Sequence, residues 1–150
     1  MRSLNRILLV EDNARDVELS LAALAECHLA NEVTVMRDGA DALDYLFRRG
    51  KFGDRPTENP AVILLDLKMP KVDGLEVLAR IKQSPELQMI PIVMLTSSQE
   101  ERDLVESYKR GVNAYIVKPI DFDQFVEAVK QLGLFWAILN QPPPGTARHL

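Results

Sequence analysis

Asp66 closes the apolar run Ala61-Val62-Ile63-Leu64-Leu65, and three other apolar runs end in polar groups the same way. Ile7-Leu8-Leu9-Val10 ends in Glu11-Asp12, Ile90-Pro91-Ile92-Val93-Met94-Leu95 ends in Thr96, and Ala114-Tyr115-Ile116-Val117 ends in Lys118-Pro119. Buried parallel strands read as such runs, and open α/β sheets bind ligands at the carboxyl ends of their strands. Side by side, the four runs bring carboxylates, an ammonium and a hydroxyl into one crevice. A carboxylate can be a nucleophile toward phosphorus, giving an aspartyl phosphate. Its charge repels an incoming phosphoryl group, so the chemistry needs a cation, and Mg²⁺ prefers oxygen ligands. Asp66 is therefore the candidate nucleophile. Asp12, Glu11 and the backbone carbonyl of Lys68 are candidates to hold Mg²⁺ with it. Lys118 and Thr96 are candidates to bind phosphoryl oxygens, and such positioning and neutralising is most of what phosphoryl transfer requires.

These groups need a scaffold that sets four strand ends side by side. Strand patterns alternate with helical ones, which argues for βα units and a parallel sheet. Strands are predicted at residues 7–10, 32–36, 61–66, 90–95 and 113–117. Helices are predicted at 14–27, 40–49, from Gly74, at 99–110 and from Phe122 onward. Asp38, Asp73 and Asp121 sit where N-caps belong, and Gly111 where a helix ends. Gly50, Gly53, Pro56 and Pro60 mark a loop longer than the usual ~2–6 residues. Arg48, Arg49, Lys51 and Arg55 make it basic, a cluster expected to be solvated.

At 150 residues the chain fits one domain, with its core at about residues 5–132 and a Pro-rich, flexible tail at 141–150. A net charge of −4, with no Lys/Arg run longer than a pair, argues against a nucleic-acid footprint. One cysteine, Cys27, precludes an intrachain disulfide and suits a reducing compartment. The amino terminus lacks a signal-peptide pattern, and no apolar stretch approaches the ~20 residues of a membrane helix. A cytoplasmic protein is expected. His28 and His149 lie away from the crevice and are expected to do no chemistry.

The set Glu11-Asp12, Asp66, Met69-Pro70, Asp73-Gly74, Thr96 and Lys118-Pro119 resembles the receiver domain of two-component response regulators, from about residue 7 to 132. The resemblance implies a flavodoxin-like, doubly wound five-stranded parallel sheet of order 2-1-3-4-5. It implies that Asp66 accepts a phosphoryl group from a phosphohistidine on a histidine kinase or phosphotransfer protein. Asp12 and Glu11 would serve the Mg²⁺ site, and Lys118 and Thr96 would read the phosphoryl group. Lys118-Pro119 would be cis, and Thr96 with Tyr115 would form a switch, Tyr115 turning inward as Thr96 moves toward the new oxygens. The side chain of Lys68 could hang over the phosphoryl group.

The long loop at 48–60 and the ending Gly133-Leu134-Phe135-Trp136-Ala137-Ile138-Leu139-Asn140-Gln141-Pro142-Pro143-Pro144 are similar to the single-domain regulators that accompany phytochrome-type, light-sensing histidine kinases. Nothing after the receiver pattern is long enough for a DNA-binding or enzymatic domain, so the output is expected to be a surface. Phe122, Phe125, Val129, Leu132, Trp136 and Leu139 follow the spacing of an a/d seam. With Phe135 they are the expected homodimer interface, through the last helix and an extension at 133–140, the first part of the seam being expected to pack on the sheet as core. Two competing readings use the same fold. One is a Mg²⁺-dependent phosphatase with Asp66 as transient nucleophile, disfavoured because Lys68 stands where such enzymes carry a second acid. The other is an interaction module that works without phosphorylation, disfavoured because acceptor and acid pair are both present.

Overall fold

Apolar residues on both faces of each run are what a sheet covered by helices on both sides requires, and the chain forms such a sheet. A computed structural model describes residues 6–29, 32–55, 58–69, 72–97 and 111–132. In chain order its elements are β1 (Ile7–Val10), α1 (Ala14–Ala25), β2 (Val33–Met36), α2 (Gly39–Leu46), β3 (Val62–Asp66), α3 (Gly74–Lys82), β4 (Ile92–Thr96), β5 (Ala114–Val117) and α4 (Phe122–Gln131). All strand pairs are parallel, in the order β2-β1-β3-β4-β5. The order and strand count match the expectation. The helix predicted at 99–110, the extension at 133–140 and the tail at 141–150 lie outside the described residues, as do Pro70 and His149.

Side chains alternate across the pleat. Leu8, Val10, Ile63, Leu65, Ile92 and Met94 pack with α2 and α3 on one face. Ile7, Leu9, Val62, Leu64, Val93 and Leu95 pack with α1 and α4 on the other. The register Leu64↔Val93, Asp66↔Leu95 and Thr96↔Val117 brings the polar ends of β3, β4 and β5 to one rim.

The caps form as expected. Asp38 accepts from the Asp41 amide at 2.7 Å, Asp73 from Glu76 at 3.0 Å and Asp121 from Gln124 at 2.8 Å. Asn13 caps α1 as well, accepting from the Asp16 amide at 2.9 Å.

Three expectations are corrected. First, Phe125 and Val129 belong to the core part of the seam alone and drop out of the dimer face: each is 1% exposed, packed in the core beneath α4. Half-buried Leu132 packs on the same core, whereas Phe122 is 38% exposed. Phe135, Trp136 and Leu139 lie outside the described residues. Second, β4 begins at Ile92 rather than residue 90, because the Ile90 amide donates to the Leu87 carbonyl at 3.0 Å in a turn and Pro91 has no amide to give; the Ile92 amide donates to the Asn113 side chain at 3.0 Å. Third, the basic loop is not simply solvated. Arg55 places its guanidinium 4.6 Å from the Tyr45 ring centre. It donates to the carbonyls of Tyr45, Leu46 (3.1 Å) and Glu58 (3.1 Å) and to Asn59 Oδ1 (3.1 Å). Two of those carbonyls end α2, and Arg48 takes a left-handed φ of 55° there. That is why the helix stops at Leu46 rather than 49.

Candidate functional site

The loop after β1 sets the acid pair. The Glu11 amide donates to the Met36 carbonyl at 3.0 Å, which prolongs the β1–β2 ladder by one residue. Glu11 is fully buried, and its Oε2 accepts from the Asn13 amide at 3.2 Å. Asp12 is half-buried, and its carbonyl accepts from Arg37 at 3.0 Å. Asp66 ends β3, buried among its neighbours. One oxygen from each of Glu11, Asp12 and Asp66 lies within 4.8 Å of the others.

Gly74 lets α3 begin against this strand end. Its amide donates to the Leu67 carbonyl at 3.0 Å, and a Cβ there would lie 2.2 Å from the Asp66 carbonyl oxygen. No residue but glycine fits that approach without displacing the backbone that carries Asp66.

Lys118 enters from β5. Its amide donates to the Thr96 carbonyl at 2.7 Å, which fixes the two strand ends relative to one another. The following peptide bond to Pro119 is cis, as expected. The Lys118 ammonium is 3.2 Å from Asp66 Oδ1, 3.2 Å from Glu11 Oε1 and 3.0 Å from Asp16 Oδ2. Thr96 is buried beside it, and its Oγ1 hydrogen-bonds to no described residue. Tyr115 is half-buried and packs on the face of Met94, one pleat from Thr96. Lys68 is exposed two residues after Asp66, while Met69 is buried. His28 is exposed beyond the far end of α1.

The electrostatics follow from this crowding. Burial pushes the Asp66 carboxyl up to about 7, and the Glu11 charge adds to the effect against the opposing pull of Lys118. Burial works against the Lys118 ammonium, but the hydrogen bond to Asp16 and the charges of Asp66 and Glu11 outweigh it and hold its pKa above the usual lysine value. The pocket carries more negative charge than one ammonium neutralises. Its donors are all oxygens, the set that suits a hard divalent cation such as Mg²⁺.

Every nominated residue at this rim is brought together: Glu11, Asp12, Asp66, Thr96 and Lys118. Three contributors were missed. Asp16 is in the first turn of a predicted helix, where an acid reads as a partner of the helix dipole. Arg37 follows a short strand with no sign of what it would meet. Gln124 was legible as half of a capping box, Asp121-x-x-Gln124. The sequence does not show that its Nε2 also donates to the Val117 carbonyl at 3.3 Å, tying α4 to the residue before Lys118.

A buried carboxylate at a strand end, an acid pair and a neutralising lysine on a sheet of this order define a phosphoacceptor signalling domain. The chain belongs to the response regulator receiver domain family, which matches it over residues 7–130. Among solved structures it is similar to the bacteriophytochrome response regulator RtBRR, at 65% identity and a TM-score of 0.81 over 93% of this chain and 84% of that one. It is similar to the bacteriophytochrome response regulator AtBRR, at 61% identity and a TM-score of 0.83 over 93% of this chain and all of that one. Response regulator Rcp1 of Synechocystis is 41% identical over 87% of each chain. The structure of the Mn²⁺-bound form of response regulator Rcp1 aligns with a TM-score of 0.72 at 39% identity, over 93% of this chain and 98% of that one. Receiver domains are partners of histidine kinases. Among the described residues no helix is long and apolar enough to cross a membrane.

Proposed function

We propose that this response regulator accepts a phosphoryl group onto Asp66 from a histidine kinase of the bacteriophytochrome kind, in cytoplasmic light signalling. The observation that carries the reading is the Lys118 ammonium, 3.2 Å from Asp66 in a pocket that also holds Glu11 and Asp12. The kinship with RtBRR and AtBRR supports the light-sensing partner.

The chain's own residues account for the transfer. An Asp66 oxygen attacks phosphorus, the new O–P bond forms as the P–N bond of the phosphohistidine breaks, and the imidazole leaves. Lys118 supplies an N–H to a phosphoryl oxygen, and Thr96 supplies a hydroxyl. Glu11, Asp12, Asp66 and the Lys68 carbonyl are the residues to hold Mg²⁺, which when bound neutralises charge on the carboxylate and phosphoryl oxygens. Self-catalysed loss of the phosphate is expected from the same groups. The unmatched Thr96 hydroxyl is suited to follow the new oxygens, with Tyr115 moving into the space it leaves. The two arrangements must then lie within a few kcal/mol of each other.

Intact mass after incubation with Mg²⁺ and acetyl phosphate tests the acceptor. One added phosphoryl group is expected, lost with a chelator and lost in Asp66→Asn. Steady donor turnover without an adduct would favour the phosphatase instead, and an adduct that persists in Asp66→Asn would place the acceptor elsewhere.

We further propose that the protein is a homodimer through Phe122, Leu132 and residues 133–140. Light scattering on eluting protein is expected to give twice the chain mass. A monomer at high concentration, with and without a phosphoryl mimic, would refute the dimer.

A further inference from the structure

The Lys118 ammonium has three N–H donors and three carboxylate partners, and only two of those partners are the family's acids. The third, Asp16, is also the nearest, at 3.0 Å. It differs from the other two in place and surroundings. Glu11 and Asp66 belong to the group of oxygens close enough to hold a cation, and Asp16 does not. Glu11 and Asp66 are buried, whereas the Asp16 side chain is 26% exposed. The Asn13 amide, which an acid at this third helical position would cap in a capping box, donates to Glu11 Oε2 at 3.2 Å instead, so the Asp16 carboxylate is left to Lys118.

This separation matters when the pocket fills. Carboxylates turned toward a divalent cation have less negative charge to offer Lys118, and the ammonium is repelled by the same positive charge. Asp16, outside the cation group, keeps its full charge and its grip. We infer that Asp16 is a positioning residue for phosphoryl transfer: it anchors Lys118 beside Asp66 when Glu11 and Asp66 are otherwise engaged, leaving N–H groups to meet the phosphoryl oxygens. The anchor has rigid support on both sides. Asn13 fixes the first turn of α1 that carries Asp16, and Gln124 holds the Val117 carbonyl just before Lys118.

The inference rests on Asp66 as phosphoacceptor, and its test separates the two. Two quantities are measured on the full chain: the phosphorylation rate with saturating Mg²⁺ and acetyl phosphate, and the ¹⁵N NMR signal of the Lys118 ammonium, with and without Mg²⁺. That signal survives solvent exchange only while the group is held. Asp16→Asn is expected to slow phosphorylation about tenfold, as the loss of one charge-assisted contact to a positioned group would. It is also expected to remove the ammonium signal in the Mg²⁺-loaded protein. Asp16→Glu is expected to restore both in part. In a Lys118→Gln background, Asp16→Asn is expected to change the rate no further. An unchanged rate, a persisting ammonium signal, no rescue by Asp16→Glu, or an equal loss in the Lys118→Gln background would each overturn the inference. An adduct retained in Asp66→Asn would instead refute the acceptor, while the metal-free ammonium signal would still report on the Asp16–Lys118 contact.

Discussion

Two cations are drawn into this fold, and their surroundings are opposite. Arg55 meets carbonyl and amide oxygens on α2 and the loop after it, with its guanidinium over the Tyr45 ring. Among the described residues the Lys118 ammonium meets only carboxylates, which outnumber it, and beside it stands a buried hydroxyl with no described partner. The first arrangement ties a helix end to a loop and holds a shape. The second has negative charge left over and a donor waiting, so it gains from a cation and from phosphoryl oxygens. Incomplete pairing in a buried place is costly to maintain, and here it coincides with the chemistry.

The largest expected effect comes from the joint between scaffold and site. Gly74→Ala drives a Cβ to 2.2 Å from the Asp66 carbonyl oxygen, and the three nearest atoms are all backbone, which cannot swing aside. We expect about 3 kcal/mol of lost stability in urea unfolding, the upper end of ordinary overpacking. Phosphorylation should slow by at least about tenfold, since small misplacement of a nucleophile is expensive in rate. A variant of full stability and full rate would show that α3 can draw back from β3, and that the site tolerates a looser joint.

Arg55→Ala tests the structural half of the comparison. It leaves carbonyls at the end of α2 without their donor and uncovers Tyr45, which should cost about 2 kcal/mol. The phosphorylation rate at a temperature where the variant is folded should stay within about twofold of wild type, since Arg55 touches none of the rim residues. A stable variant with a slowed rate would reverse the assignment of roles.

The same contrast explains what was readable beforehand. Four of the β-strands were legible because apolar runs on a doubly covered sheet leave no ambiguity of face, and the rim residues because each closes such a run; edge strand β2, half-buried over most of its length, shows only a short, partly alternating pattern. The caps at Asp38, Asp73 and Asp121 were legible because a cap is a contact across three residues. Arg55 reads in the sequence as part of a solvated basic loop, because the carbonyls that it binds carry no mark there. Asp16 was missed for the same reason: its partner is 102 positions away, and its place in a first turn already has a local explanation. Phe125 and Val129 fit an a/d seam and also a core stripe, since a helix packed on a sheet and a coiled coil begin with the same spacing. Only the tertiary packing separates the two.

The smallest expected effect is the pH dependence of the charged half. Asp66 titrates near 3.8 when unfolded and at about 7 in the folded, metal-free pocket, because burial and then Glu11 disfavour its charge more than Lys118 favours it. The folded state therefore binds this proton more tightly. The stabilisation is fully present below the unfolded value, declines as pH rises, and is gone above the folded one. Between about pH 5.5 and about pH 8, metal-free wild type should lose on the order of 1–2 kcal/mol through this group. Asp66→Asn, which cannot ionise there, should lose that much less and overtake wild type at the higher pH. Saturating Mg²⁺ should flatten the wild-type slope, because a bound cation favours the carboxylate. If wild type and Asp66→Asn kept parallel slopes in chelator, the Lys118 contacts would already balance the buried charge. The pocket would then merely hold a shape, as the contacts of Arg55 do.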